Sequence, residues 1–248
     1  MTNIFVCNLS YSTTQDELHA AFAQYGSVER VNIVTDRDSG QPRGFAFVEM
    51  TNANEAQTAI EQLALITRGQ PALLVGHPTR GEHGTLHNSA SLLADGRISA
   101  TVHKTLLPNY DVFDERRYFR PQRPEKLQTV QFEGRNLGVH ICEDAWWGQP
   151  ETFYHTPEEQ FPDPVRELAQ QGAQLLVNLS ASPFEVNKPS RRRSLMAAHA
   201  RATGLPFIFV NQIGGQDDIV FDGHSFVLDG QGQVRHQSFG FHPSLDIV

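Results

Sequence analysis

The sequence predicts a mixed α/β (α+β) chain assembled from two unlike modules. Three observations predict it. Two short stretches near the N-terminus, Ile4–Leu9 and Arg43–Met50, place apolar and aromatic residues with the period of a strand. Beyond Leu63, short apolar runs alternate with turns and amphipathic segments, the rhythm of a layered fold of strands and helices. Within that second part Cys142 closes an apolar run and is followed at once by acidic residues.

The N-terminal elements follow in order. In Arg43–Met50, Phe45 and Phe47 share one face of the strand while Ala46 and Val48 share the other. In Ile4–Leu9, Phe5 faces opposite to Ile4 and Val6. Rings on the water-facing side of strands are costly unless something stacks on them. Nucleic-acid bases meet that need, each stacked base contributing roughly 1–3 kcal/mol. Thr14-Gln15-Asp16-Glu17 forms a capping box ahead of a helix over Glu17–Tyr25, which Gly26 stops. Val28–Thr35 reads as a strand, Asp36–Gln41 as a turn and Ala53–Leu63 as a second helix.

This β-α-β-β-α order and the Arg-Gly-Phe-Ala-Phe-Val core resemble an RNA recognition motif, whose ferredoxin-like sheet has one more strand. The resemblance implies single-stranded RNA as partner and Phe5, Arg43, Phe45 and Phe47 as the residues that contact it. Cys7 stands where that family commonly has glycine, and Met50 where it prefers an aromatic ring. Residues 1–63 carry three basic side chains, Arg30, Arg37 and Arg43, against eight acidic ones. Phosphate contacts usually dominate nucleic-acid affinity, so binding is expected to be weak and to rest on stacking.

The division expected from these patterns is 1–63 and 64–248, with no Gly/Ser-rich linker at the joint. The apolar segment 71–77 is claimed twice. It can complete the first module as a fourth strand or open the second, and one strand cannot be an inner member of both sheets. Further on, Asn88–Leu93, Ile98–His103, Leu127–Phe132 and Leu137–Ile141 read as strands, followed by a helix over Pro164–Gln171. Gln174–Leu179 and Pro206–Gln212 have the continuous apolar character of buried strands, with a helix over Ser194–Thr203 between them. Ser225–Leu228 and Val234–His236 form a closing hairpin around Asp229-Gly230-Gln231-Gly232.

Residues 71–236 resemble the glutaminase domain of glutamine-dependent NAD+ synthetases, within the nitrilase (carbon–nitrogen hydrolase) superfamily. The resemblance rests on the segments from His103 to Glu115, Gly138 to Trp146, Asn178 to Phe184 and Asn211 to Gly223, in that order. It implies part of an αββα sandwich and a cysteine that attacks the side-chain amide of glutamine through a thioester. On that resemblance Cys142 is the nucleophile and Lys104 steadies the oxyanion and keeps the thiolate available, since a nearby cation lowers a thiol's pKa. Glu115 orients the lysine, and Tyr110, Ser182 and Lys188 contact glutamine; Lys188 stands where the family often has arginine.

The family's glutamate base comes from an earlier Pro-Glu segment, a region occupied here by the RNA-recognition-like module. The acids left between that module and Lys104 include Glu82, in a Gly81–Gly84 loop, and Asp95, in a turn, neither in an apolar strand. A general base typically contributes about 10²–10⁴-fold, so impaired turnover is expected. The Ser-Gly-Gly-type phosphate loop of an ATP-pyrophosphatase domain does not occur, so no cofactor is expected and no ATP or NAD+ chemistry.

The 248 residues carry a net charge of −8, which argues against general affinity for polyanions. Cys7 and Cys142 give neither a zinc pattern nor a disulfide framework, and the 11 histidines show no ligand spacing, so no metal is expected. The expected setting is the cytoplasm, without a membrane span; a homo-oligomer stays open. Arg191-Arg192-Arg193 reads as the solvated start of a helix. Three functional readings remain: an RNA-binding module fused to an impaired glutaminase, an active amidohydrolase with a substitute acid, and a non-functional rearrangement product.

Overall fold

A computed structural model describes residues 2–6, 13–23, 26–35, 42–50, 58, 60–62, 64–65, 67–81, 84–150, 152, 154, 161–216 and 218–248; in its strands the side chains at 2–6, 34, 42–45, 47, 49 and 216 lie outside that description. The first helix starts as its sequence predicts. The Thr14 backbone N–H donates to Glu17 Oε2 at 2.8 Å and the Glu17 N–H donates to Thr14 Oγ1 at 3.2 Å, a reciprocal capping box. That box opens α1 (Gln15–Ala23), whose Leu18 and Phe22 are buried. They pack on Ala46, Val48 and Met50 of a sheet formed by β1 (Thr2–Val6), β2 (Val28–Thr35) and β3 (Pro42–Met50).

The strand order is β1-β3-β2 and both pairings are antiparallel, with positions 5 and 47 as register partners. Ala46, Val48 and Met50 face the core. The predicted turn Asp36–Gln41, residues 7–9 of the first strand and most of Ala53–Leu63 lie outside the described residues.

The doubly claimed strand pairs with the second module. β4 (Leu73–Arg80) runs antiparallel to β5 (Leu86–Ala94) from Leu73↔Leu93 to Arg80↔Leu86, and β5 pairs in turn with β6 (Arg97–His103). Ile60 and Ala64 go the same way, burying themselves against Leu93, Val75 and Ile98 of this sheet.

The larger sheet has the order β14-β13-β10-β9-β8-β7. In chain order its strands are β7 (Val130–Phe132), β8 (Arg135–Ile141), β9 (Leu175–Ser180), β10 (Phe207–Asn211), β13 (Phe226–Leu228) and β14 (Val234–Gln237). β8, β9 and β10 are parallel, so each junction needs a crossover, and helices supply it. A short helix, α2 (Glu115–Tyr118), precedes the sheet; α3 (Pro164–Gln170) and α4 (Lys188–Thr203) are the crossovers. Asp163 caps α3, its Oδ1 accepting from the Val165 and Arg166 N–H groups, with Pro164 at the first turn.

Val165, Met196, Ala197 and Ala200 cover one face of this sheet over Leu176, Phe207, Phe209, Phe226 and Leu228. The other face meets the β4–β6 sheet, where Ala90, Leu92 and Val102 pack on Val130, Val139 and Ile141. On the helix-covered face Gly138 allows a close fit: a Cβ there would stand 2.8 Å from Leu176 Cδ2 and 3.1 Å from Ala173 Cβ.

Some expectations give way. The helix predicted from Ser194 begins at Lys188, and Arg192 is not solvated. It is 1% exposed and meets both carboxylate oxygens of the fully buried Asp222 at 2.5 Å, while Asp222 Oδ2 also meets His224 Nδ1 at 2.7 Å. A buried charge needs such a partner, which a run of arginines does not reveal. A hairpin of β11 (Ile213–Gln216) and β12 (Ile219–Asp222) went unread because Gly214 and Gly215 weaken the strand signal. The strand expected over Leu127–Phe132 shrinks to β7; Leu127 instead closes the preceding 3₁₀ turn, its N–H donating to the Pro124 carbonyl at 3.1 Å.

Candidate active site

Cys142 leaves β8 with φ at +44°, a left-handed conformation that costs a non-glycine residue roughly 1–3 kcal/mol. A 3₁₀ turn, Cys142–Ala145, follows immediately and carries Glu143 and Asp144 into the interior. Asp144, 1% exposed, ties this turn down. Its Oδ2 accepts from the Ile141 N–H at 2.9 Å, and its Oδ1 accepts from the N–H groups of Thr105 at 2.9 Å and Leu106 at 2.8 Å. One carboxylate thus clamps the strand exit that bears Cys142 to the segment that bears Lys104. Burial raises the Asp144 carboxyl to about 7, against the pull of these three donors.

Lys104 follows β6 and is 1% exposed. Its Nζ lies 2.6 Å from Glu115 Oε1, while the Glu115 N–H, at the start of α2, donates to the Pro108 carbonyl at 3.1 Å. Burial alone would lower the Lys104 pKa, but Glu115 and the Cys142 sulfur outweigh it and hold the ammonium above its ordinary value.

The half-buried Cys142 shows the reverse balance. Burial pushes the thiol up, Lys104 pulls down without reversing the shift, and Glu143 and Glu115 add to the rise. The expected lowering by Lys104 is present but loses to desolvation, so the net shift of the thiol is upward. Its side-chain hydrogen-bond partner is Ser180, and Asn178 Nδ2 donates to the Cys142 carbonyl at 3.3 Å.

Glu143 is buried and accepts a hydrogen bond from the Tyr110 hydroxyl. Burial raises its carboxyl, against that hydrogen bond and Lys104. Lys188, at the start of α4, holds its Nζ 6.0 Å from the Trp146 ring centre and 3.8 Å from Glu185 Oε2. Ser182 is buried, its N–H donating to Asn211 Oδ1 at 2.9 Å.

Cys142, Lys104, Glu115 and Tyr110 therefore converge, with Glu143 joining Tyr110 to the thiol's surroundings. Asp95 does not. It occupies the turn before β6 and Lys104 follows that strand, which puts roughly 20 Å of extended chain between them. Glu82 lies outside the described residues, as do the side chains of Phe5, Arg43, Phe45 and Phe47, whose backbone positions are on β1 and β3. Sequence reasoning missed Asp144 and Ser180. The signal for Asp144 was its place three residues past Ile141 in a strand-exit turn; Ser180 gave none. Among the described residues no group of three or more His, Cys, Asp or Glu side chains could hold a metal ion. Among them, too, no helix is long and apolar enough to cross a membrane.

Residues 4–70 match the RNA recognition motif model, and residues 46–239 match the carbon–nitrogen hydrolase model, so the two overlap. The glutamine-dependent NAD(+) synthetase of Synechocystis sp. is 38% identical over 213 residues, which cover 80% of this chain and 36% of that relative. A solved glutamine-dependent NAD+ synthetase from Acinetobacter baumannii, bound to ADP, superposes with a TM-score of 0.68 at 33% identity, covering 78% of this chain and 34% of that one. A glutamate-to-glutamine mutant of the amidase from Nesterenkonia sp. AN1, with acrylamide joined to its active-site cysteine by Michael addition, superposes with a TM-score of 0.61. It is 26% identical, over 80% of this chain and 72% of the amidase. The chain spans about a third of the length of the synthetases it matches. With the hydrolase model matching residues 46–239, well over half of its length, this chain belongs to the carbon–nitrogen hydrolase family.

Proposed function

We propose that the chain joins a weak single-stranded-RNA-binding module to a glutaminase-like amide hydrolase site that is catalytically impaired, working in the cytoplasm. The observation that carries this reading concerns protons. Among the described residues no carboxylate hydrogen-bonds to the Cys142 thiol, whose side-chain partner is Ser180, and burial pushes that thiol up.

The chemistry defines what is missing. Cys142 Sγ would attack the side-chain carbonyl carbon of glutamine; an S–C bond forms while the carbonyl electron pair moves to oxygen, toward the Lys104 ammonium. The C–N bond then breaks and ammonia leaves with the thiol's proton, giving a thioester that water hydrolyses to glutamate and free thiol. Both halves require a group that takes and returns a proton. Glu115 is held by Lys104, Glu143 by Tyr110 and Asp144 by three backbone N–H groups. Tyr110, Ser182 and Lys188 would hold the glutamine. The amidase mutant with acrylamide on its cysteine supports the cysteine's role as the attacking group in that protein.

The same reading divides the chain at 63/64, although Ile60, on the N-terminal side of that cut, packs with Ala64 on the second module. Phe5, Arg43, Phe45 and Phe47 would contact RNA, and the acidic balance of residues 1–63 supports weak affinity.

A second reading, an active amidohydrolase, draws on Glu143, which adjoins the nucleophile and has a raised pKa suited to proton exchange. Incubation with glutamine separates the two. The impaired site should release ammonia no faster than a Cys142→Ala control. A clear Cys142-dependent rate that disappears in Glu143→Gln would establish the second reading instead.

A further inference from the structure

Ser180 is the side-chain hydrogen-bond partner of the Cys142 sulfur, yet the amide chemistry above gives it no task. Strand pairing brings the two together. β8 and β9 run parallel with Ile141 opposite Leu179, so the next residue of each, Cys142 and Ser180, meet where the strands end. On its other side Ser180 is the register partner of Asn211, and its carbonyl accepts from the Gln212 N–H at 2.9 Å. The backbone that carries the hydroxyl is therefore fixed.

Asn178 sets the direction of that hydroxyl. It lies two residues earlier on β9, hence on the same face of the strand, and is 0% exposed. Its Nδ2 donates to the Cys142 carbonyl at 3.3 Å, which leaves Oδ1 to accept from the Ser180 hydroxyl at 2.6 Å. A serine hydroxyl has one proton and two lone pairs. While Asn178 holds the proton, Ser180 Oγ can only accept, which suits a protonated sulfur. An ionised sulfur has nothing to donate and needs a donor instead. A turn about the Cβ–Oγ bond supplies one, moving the hydroxyl proton from Asn178 Oδ1 to Cys142 Sγ. The charged groups acting on the sulfur are Lys104, Glu143 and Glu115, and Ser180 works in the direction of Lys104, favouring the thiolate.

From this we propose that Ser180 is a hydroxyl rotor at the reacting sulfur, accepting from the protonated Cys142 and turning away from Asn178 to donate to the ionised one. The inference rests on the reading of Cys142 as the attacking group. The rotor would serve twice, as the sulfur begins its attack and as it is expelled when the thioester is hydrolysed. Ser180 keeps its own proton throughout. It stabilises the thiolate and does not replace the missing base.

Alkylation of Cys142 by iodoacetamide in the whole chain, followed against pH in a Cys7→Ser background, tests this. Ser180→Ala should shift the rate profile to higher pH, so that on its rising limb alkylation is about tenfold slower, the scale of one charge-assisted hydrogen bond. Ser180→Thr keeps the hydroxyl and should keep the parent profile. A second measurement needs no Ser180 variant. The infrared S–H stretch of Cys142, isolated by difference against Cys142→Ala at a pH below the rising limb, should lie at the lowered frequency of a donating thiol. An unshifted profile or a shift to lower pH in Ser180→Ala, a Ser180→Thr profile like that of Ser180→Ala, or the stretch of a free thiol would each overturn the proposal. None of these readouts uses glutamine, so failure of the rotor and failure of the glutaminase reading, which the ammonia assay detects, are told apart.

Discussion

Among the described residues two three-stranded sheets occur, β1–β3–β2 and β4–β5–β6, and they are completed very differently. The first buries one face under α1, through Leu18 and Phe22, and its β1 has one strand neighbour among the described residues. The second is covered on both faces: Ala90, Leu92 and Val102 meet the larger sheet, while Leu93, Val75 and Ile98 meet Ile60 and Ala64. Both family models include residues 46–70, so the chain offers one segment to two folds. The segment is divided between them: residues 46–50 stay in β3 of the first sheet, while Ile60 and Ala64 cover one face of the second, whose other face meets the larger sheet, and each part lies where it buries apolar surface.

The largest expected effect comes from the clamp inside the second region. Asp144→Ala strands three buried N–H groups, each costing about 1–3 kcal/mol, and should destabilise the hydrolase region by about 4 kcal/mol. Hydrogen exchange should speed up there while the Leu18–Phe22 core keeps its protection; equal loss in both would erase the contrast. Next, Ile60→Ala should cost about 2–4 kcal/mol, as other large-to-small core changes do, with faster exchange at Leu93 and Val75. If exchange speeds instead around Leu18 and Val48, the segment belongs to the first module.

A smaller effect concerns RNA. The whole chain should bind fluorescent single-stranded RNA weakly and Phe45→Ala/Phe47→Ala should abolish that binding; persistence in the variant would move the site off the sheet face. Smallest is a pH effect at His103, whose pKa burial, with help from His87 and His77, lowers to about 4. Between pH 6.5 and about 4 the unfolded imidazole takes a proton that the folded one refuses, so stability falls with falling pH across that window. Thermal melts of His103→Asn should show a shallower decline; an identical slope would remove His103 from the account.

Much of this was legible in the sequence, for a physical reason. Strands buried on both faces are nearly continuous apolar runs, so β8, β9 and β10 announce themselves and place Cys142 at a strand exit. Local capping chemistry likewise gives α1 from Thr14 and Glu17 alone. The pairing of Lys104 with Glu115 came through family resemblance, since their spacing by itself says nothing. What stayed hidden depends on partners distant in the chain. Asp144 reads as one more acid until Thr105 and Leu106 fold onto it. Arg192 reads as solvated until Asp222 arrives. The thiol's pKa reverses its expected direction because burial, a property of the whole fold, exceeds the effect of one neighbouring cation.

The central claim is that Cys142 has its cation but lacks a proton acceptor. The pH dependence of its alkylation by iodoacetamide tests this directly, followed by mass spectrometry in a Cys7→Ser background. Modification should be slow through neutral pH and rise only above the ordinary thiol value of 9.0. A rate already at its plateau by pH 7 would mean that a resident base activates the sulfur, and would contradict the account.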